Sequence, residues 1–131
     1  MSNRRFITEG EGLPQWENPI SHAVVVNNMC FISGQLSVSV DGKYIEGTIE
    51  EEANRAFENV FSAAKAAGFS KDEIVYMDIA FSDLTQVKTV NEIYMRLFPE
   101  GRRPARTIAE AAALPFGGKI KIVATAVKDN V

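Results

Sequence analysis

The chain has 131 residues, 46% of them hydrophobic and 24% charged, with a net charge of -3, which suits one folded domain over 1–131 and excludes disorder. The acidic balance offers nothing to a phosphate backbone, so no nucleic-acid partner is expected despite the small knot of Arg102, Arg103 and Arg106. The single cysteine, Cys30, excludes an internal disulfide framework. With no signal-peptide pattern before Gly12 and no apolar run near the roughly 20 residues of a membrane span, it points to a reducing, cytoplasmic setting.

Glu9 to Pro19 contains two glycines and two prolines and reads as loop. Ala23–Val26 and Met29–Ile32 are β-rich runs flanking Asn27-Asn28, a pair that tolerates positive φ, so they predict a hairpin. Leu36 to Val40 leads into a second turn at Asp41-Gly42. Thr48-Ile49-Glu50-Glu51 is a capping box, and Ile49, Ala53, Ala56, Phe57, Val60, Ala63, Ala64 and Ala67 follow at helical spacing until Gly68. The three glutamates 50–52 are expected as favourable charges at that helix's N-terminus.

Ile74 to Ser82 predicts a strand, with Val75, Met77, Ile79 and Phe81 on one face and Ile74, Tyr76 and Ala80 on the other. A second helix begins near Asp83 or Thr85, carries Leu84, Val87, Val90, Tyr94, Leu97 and Phe98 as its apolar stripe, and stops at Pro99. Pro104 to Glu110 and Lys119 to Lys128 predict the last two strands, joined by a turn at Gly117-Gly118. The order of elements gives an α+β fold: one mixed sheet with two helices packed on one face. The second face also carries apolar residues, Ile74, Tyr76, Ala80, Val123 and Val127 among them. A subunit interface would exclude water there, a solvated monomer being the alternative.

Arg106 is the principal candidate for chemistry. It shares a strand face with Ile108 and Glu110, and a guanidinium beside apolar residues presents a fork that matches a carboxylate. The competing reading is a surface arginine paired with Glu110 or Glu100. His22, the only histidine, reads as a solvated or capping residue rather than a general base, since no Ser or Cys nucleophile accompanies it at a recognisable spacing. Cys30, between Met29 and Phe31, reads as an inert core thiol. Gly34, in Ser33-Gly34-Gln35, either lets a ligand approach the backbone or marks a bulge. Asp72, Glu73 and Asp78 are not spaced as metal ligands.

Taken together, His22-Ala23, Phe31-Ile32-Ser33-Gly34-Gln35, Thr89 to Tyr94, Pro104-Ala105-Arg106-Thr107, Leu114-Pro115, Lys119-Ile120 and Ala124 to Val127 resemble the RidA/YjgF family, in order and over nearly the whole chain. The resemblance implies a chorismate-mutase-like fold, a homotrimer with clefts between subunits, and hydrolysis of reactive 2-imino or enamine acids to 2-oxo acids and ammonia. No metal or organic cofactor is implied. Arg106 would hold the substrate carboxylate, with Ser33, Gly34, Asn91, Thr107 and Ile108 lining the cleft. Two positions depart from the family pattern. Lys121 stands where deaminase members carry a water-orienting glutamate, and Ile20 where they carry an aromatic. Lys121 is either a solvated strand charge or, with Arg106, the second cation of a site for dicarboxylates. A non-catalytic carboxylate-binding trimer is the alternative function. An RNA-cleaving role, also associated with the family, fits the acidic balance poorly.

Overall fold

The computed structural model describes residues 4–129. Its elements are β1 (Arg4–Ile7), β2 (Ala23–Val26), β3 (Met29–Gln35), α1 (Ile49–Ala66), β4 (Ile74–Phe81), α2 (Val87–Leu97), β5 (Ala105–Glu110) and β6 (Ile120–Val127). The strands form one sheet in the order β1-β2-β3-β6-β4-β5. All neighbours are antiparallel except β4 and β5, the pair connected through α2.

The local signals account for most of these elements. Asn27 takes the left-handed φ of 54° that lets β2 turn back onto β3. Thr48 Oγ1 accepts from the Glu51 N–H and Glu51 Oε1 accepts from the Thr48 N–H, closing the capping box of α1, a device worth about 1 kcal/mol. Gly68, at φ 87°, lets the chain leave the helix. Ala53, Ala56, Ala63 and Ala64 are fully buried beside Phe57 and Val60, so small side chains bring α1 down onto the sheet. Ile120, Ile122, Ala124 and Ala126 of β6 face that helix layer, and Lys121, Val123, Thr125 and Val127 face away from it.

Three expectations need correction, and one strand was not anticipated. The polar N-terminus contributes an edge strand, β1, whose alternation is masked by Arg4 and Arg5. The face assignment within β4 holds from Tyr76 onward and fails before it: Ile74 is 4% exposed and Val75 is 46% exposed. A register shift between Ile74 and Tyr76 against β6 reverses the alternation there, because one extra residue moves side chains to the opposite face. Ile74 therefore belongs to the helix-covered core.

His22 is 1% exposed, not solvated. The loop before β2 folds over it, so its Nε2–H donates to the Pro14 carbonyl at 2.7 Å, Gln35 donates to Nδ1 at 3.2 Å, and Trp16 stacks on the ring. Glu52 is likewise fully buried instead of lying free at the helix N-terminus. It accepts hydrogen bonds from the Tyr44 hydroxyl, the Gly47 and Lys119 backbone N–H groups and Lys119 Nζ, tying α1 to the start of β6.

The uncovered sheet face exposes Phe6, Phe31, Val75 and Tyr76, with Val123 and Val127 half-buried among them. A second, smaller cluster of Leu36, Val38 and Leu114 packs with Trp16, Ala80 and Ala111.

Candidate functional site

Arg106 lies on β5, an edge strand, in register with Met77 of β4, and so projects toward the helix layer. Asn91 and Tyr94, one turn apart on α2, meet it there. Arg106 Nη1 donates to Asn91 Oδ1 at 2.8 Å, and the guanidinium sits 4.9 Å from the Tyr94 ring centroid. The Tyr94 hydroxyl in turn donates to the Pro104 carbonyl at 3.2 Å, which braces the strand entrance against α2. Burial pushes the Tyr94 phenol up, while the Arg106 and Arg103 charges pull it back.

The arginine is thus gripped at one nitrogen and over one ring face. Its other donors remain for the pocket it lines, a cavity of about 420 Å³ bordered also by Met95, Arg103 and Pro104. Neither expected carboxylate partner neutralises it: Glu110 Oε1 is occupied by the Leu84 N–H, and the ion pairs among the described residues involve only lysines.

The remaining candidates divide between two places. Ile108, in register with Ile79, shares the helix-side face with Arg106 and is 38% exposed. Thr107 points the other way, donating to Asp78 Oδ1 at 2.6 Å and lying 3.1 Å from the Tyr76 hydroxyl. Lys121 is in register with Ala80 on that same uncovered face. Within one chain, therefore, Arg106 and Lys121 project from opposite sides of the sheet, and only an interface between chains could bring them together.

Lys121 does meet Gly34. A Cβ on Gly34 would stand 2.9 Å from Lys121 Cδ and 3.0 Å from Cγ, so the glycine makes room for the lysine stem. It also falls in the register shift between Ile32 and Gln35 that interrupts the β3–β6 pairing. Ser33 Oγ donates to the Ser21 carbonyl at 2.6 Å and its N–H to the His22 carbonyl at 2.9 Å, which fixes the bulge to the buried His22 loop.

His22 and Cys30 do not join either cluster as reactive groups. Burial pushes His22 below its ordinary value, only partly opposed by the bond to Pro14. Burial also pushes the Cys30 thiol up to about 11. Among the described residues no three His, Cys, Asp or Glu side chains stand together as a metal site would require, and no helix is long and apolar enough to cross a membrane. Other depressions occur elsewhere, including one of about 480 Å³ beside Trp16 and Phe116, but that depression is not bordered by Arg106.

Sequence reasoning passed over two features of the site. Tyr94 appeared only as part of a helix stripe, although it stands three residues beyond Asn91 and so on the same helix face. Arg103, three residues before Arg106, appeared only as part of the basic knot with Arg102 and Arg106.

An edge-strand arginine held by a helix asparagine, on a six-stranded sheet covered by two helices, defines an α+β protein with an arginine-lined pocket at the sheet margin. The chain belongs to the endoribonuclease L-PSP family, whose model matches residues 12–128, and this is the RidA/YjgF grouping that its motifs resemble. It is 37% identical to a 2-iminobutanoate/2-iminopropanoate deaminase of Bos taurus over 95% of this chain and 90% of that protein. It is 34% identical to Reactive Intermediate Deaminase A, chloroplastic, of Arabidopsis thaliana over 92% of this chain, which spans 65% of that longer relative. Among solved structures it superimposes on E. coli TdcF with bound serine at a TM-score of 0.87 and 31% identity, covering 95% of this chain and all of that one.

Proposed function

We propose that this chain hydrolyses reactive 2-imino and enamine acids to 2-oxo acids and ammonia, with Arg106 holding the substrate carboxylate in a cleft between subunits of a homotrimer. The observation that carries the reading is the state of Arg106. It is half-buried, oriented by Asn91 and Tyr94, unpaired with any carboxylate among the described residues, and borders an open cavity. A guanidinium in that condition is organised to receive an anion rather than to close an internal ion pair. The relatives named as deaminases of 2-iminobutanoate/2-iminopropanoate and of a reactive intermediate, and the neighbour described with bound serine, support a small carboxylate-bearing ligand.

The chemistry asks little of the protein. Water adds to the electrophilic imine carbon, giving a carbinolamine; a proton moves to its nitrogen, the C–N bond breaks, and ammonia leaves as the C=O bond forms. Arg106 would fix the carbon at a set distance from the incoming water, so the gain comes from positioning. Asn91 would hold the arginine and border the ligand. Backbone groups around Thr107 and Ile108 lie on an edge strand and are available on its outer side.

The trimer supplies the rest of the cleft. The apolar uncovered face, with Phe31, Val75 and Tyr76 exposed, supports burial against another copy. In that assembly Ser33, Gly34 and Lys121 of one subunit would complete the site around Arg106 of the next. Carbonyl oxygens near Gly34 would orient the water in place of the missing glutamate.

Lys121 favours a second reading, a non-catalytic trimer that binds small carboxylates. Release of ammonia and 2-oxo acid from freshly generated 2-iminopropanoate, wild type against Arg106→Ala, decides between the two. Turnover that depends on Arg106 supports the deaminase. Carboxylate binding without turnover supports the binding protein.

A further inference from the structure

We infer that the Arg106 pocket selects ligands with two acid groups, the second held by Arg103; for a substrate this means 2-imino dicarboxylic acids. The inference deepens the deaminase reading and rests on it for the word substrate.

Arg103 and Arg106 border the same cavity, with Asn91, Tyr94, Met95 and Pro104 completing the wall. No carboxylate belongs to that wall, and neither guanidinium is in an ion pair among the described residues. Each is anchored at one nitrogen only. Arg106 is held through Nη1 by Asn91, and Arg103 through Nε by the Phe98 carbonyl at 3.1 Å. Arg103 therefore keeps both terminal nitrogens for a ligand.

The backbone between the two is stiff. Pro104 is buried, its ring limits both its own φ and the conformation of Arg103, and its carbonyl is fixed by the Tyr94 hydroxyl. The Tyr94 ring borders the same cavity as both arginines, and their charges oppose the upward shift that burial gives its phenol.

Two like charges held around one open cavity repel each other, and a ligand with a single carboxylate engages only one of them. A dianion relieves both. The cavity, about 420 Å³, accommodates a short diacid with its reacting carbon between the two ends. This places the second cation on the same side of the sheet as Arg106 within one chain, which Lys121 is not.

The test compares calorimetric binding of succinate with that of propanoate, and turnover of 2-iminosuccinate with that of 2-iminopropanoate, in wild type, Arg103→Gln and Arg103→Lys. Wild type binds succinate more tightly than propanoate. Arg103→Gln lowers the diacid-to-monoacid affinity ratio about tenfold, the scale of a lost charge-assisted hydrogen bond, and Arg103→Lys restores most of it. The ratio of specificity constants for the two imines moves in parallel.

An affinity ratio unchanged by Arg103→Gln, or no binding of either acid by wild type, overturns the inference. Its failure is separable from that of the deaminase reading, because calorimetry needs no turnover. An Arg103-dependent diacid preference without imine hydrolysis supports two-acid selection while removing the enzyme. Imine hydrolysis with no Arg103-dependent preference does the reverse.

Discussion

Arg106→Ala is the perturbation whose size follows most directly from the geometry. The side chain makes one hydrogen bond to Asn91 Oδ1 at 2.8 Å and one ring contact to Tyr94 at 4.9 Å, and both vanish in the variant. The ring contact is worth about 0.5–1 kcal/mol at a partly exposed site. The freed Asn91 is half-buried and can take water instead, so the net stability loss is about 1 kcal/mol.

For a chain of 131 residues this lowers Tm by roughly 3–5 °C, leaving the protein folded at assay temperature. Activity responds far more. A forked grip on a carboxylate comprises two charge-assisted hydrogen bonds of about 1.5–3 kcal/mol each. The pocket is open to solvent, which favours the lower end, about 3 kcal/mol in all and roughly a hundredfold in kcat/KM. Arg106→Lys keeps the charge but loses the fork, and falls between the two. The assay is 2-oxo acid release from freshly generated 2-iminopropanoate, with thermal unfolding run in parallel. Should Arg106→Ala stay within about threefold of wild type while its Tm drops as expected, the carboxylate-anchor argument is refuted.

Glu52→Ala strands the Tyr44 hydroxyl and the Gly47 and Lys119 N–H groups, and should cost about 3–5 kcal/mol in denaturant unfolding. Burial alone would raise the Glu52 carboxyl, but the bonds from Tyr44, Lys119 and Gly47 outweigh it and hold the group below its ordinary 4.5. Its stabilising share is therefore complete above pH 4.5 and lost as pH falls through the lower folded value; Glu52→Gln flattens that acid limb. Burial lowers His22 from 6.5, so on acidification the unfolded chain takes up that proton first. That share of stability is full above pH 6.5 and declines below it through the folded value, and it disappears in His22→Asn, which unfolding followed against pH will show. Lys121→Glu places a carboxylate beside Gly34 and should raise 2-iminopropanoate turnover several-fold; unchanged turnover means that Lys121 lies outside the working cleft.

Much of the molecule was legible because the signals are local. The Asn27-Asn28 turn, the Thr48/Glu51 capping box, the alanine-rich face of α1 and the alternation of β6 each depend on residues within a few positions of one another. Periodicity and cap chemistry read such relations directly. The motif around Arg106 was equally visible, since Pro104 to Thr107 is contiguous.

What the tertiary structure decided depends on residues far apart in sequence. One extra residue near Val75 reversed a face assignment, because pairing with β6 sets the phase of β4. His22 and Glu52 looked like exposed polar groups until the loops carrying Pro14 and Tyr44 supplied partners and removed water. Arg106 and Lys121 share no face within one chain, because the sheet register sends them to opposite sides. Arg103 gained meaning only when α2 closed the pocket it shares with Arg106. Sequence by itself determined every element but β1, and the family; side-chain direction, burial and charge pairing were set by long-range contacts, since only packing decides which face of an element loses its water.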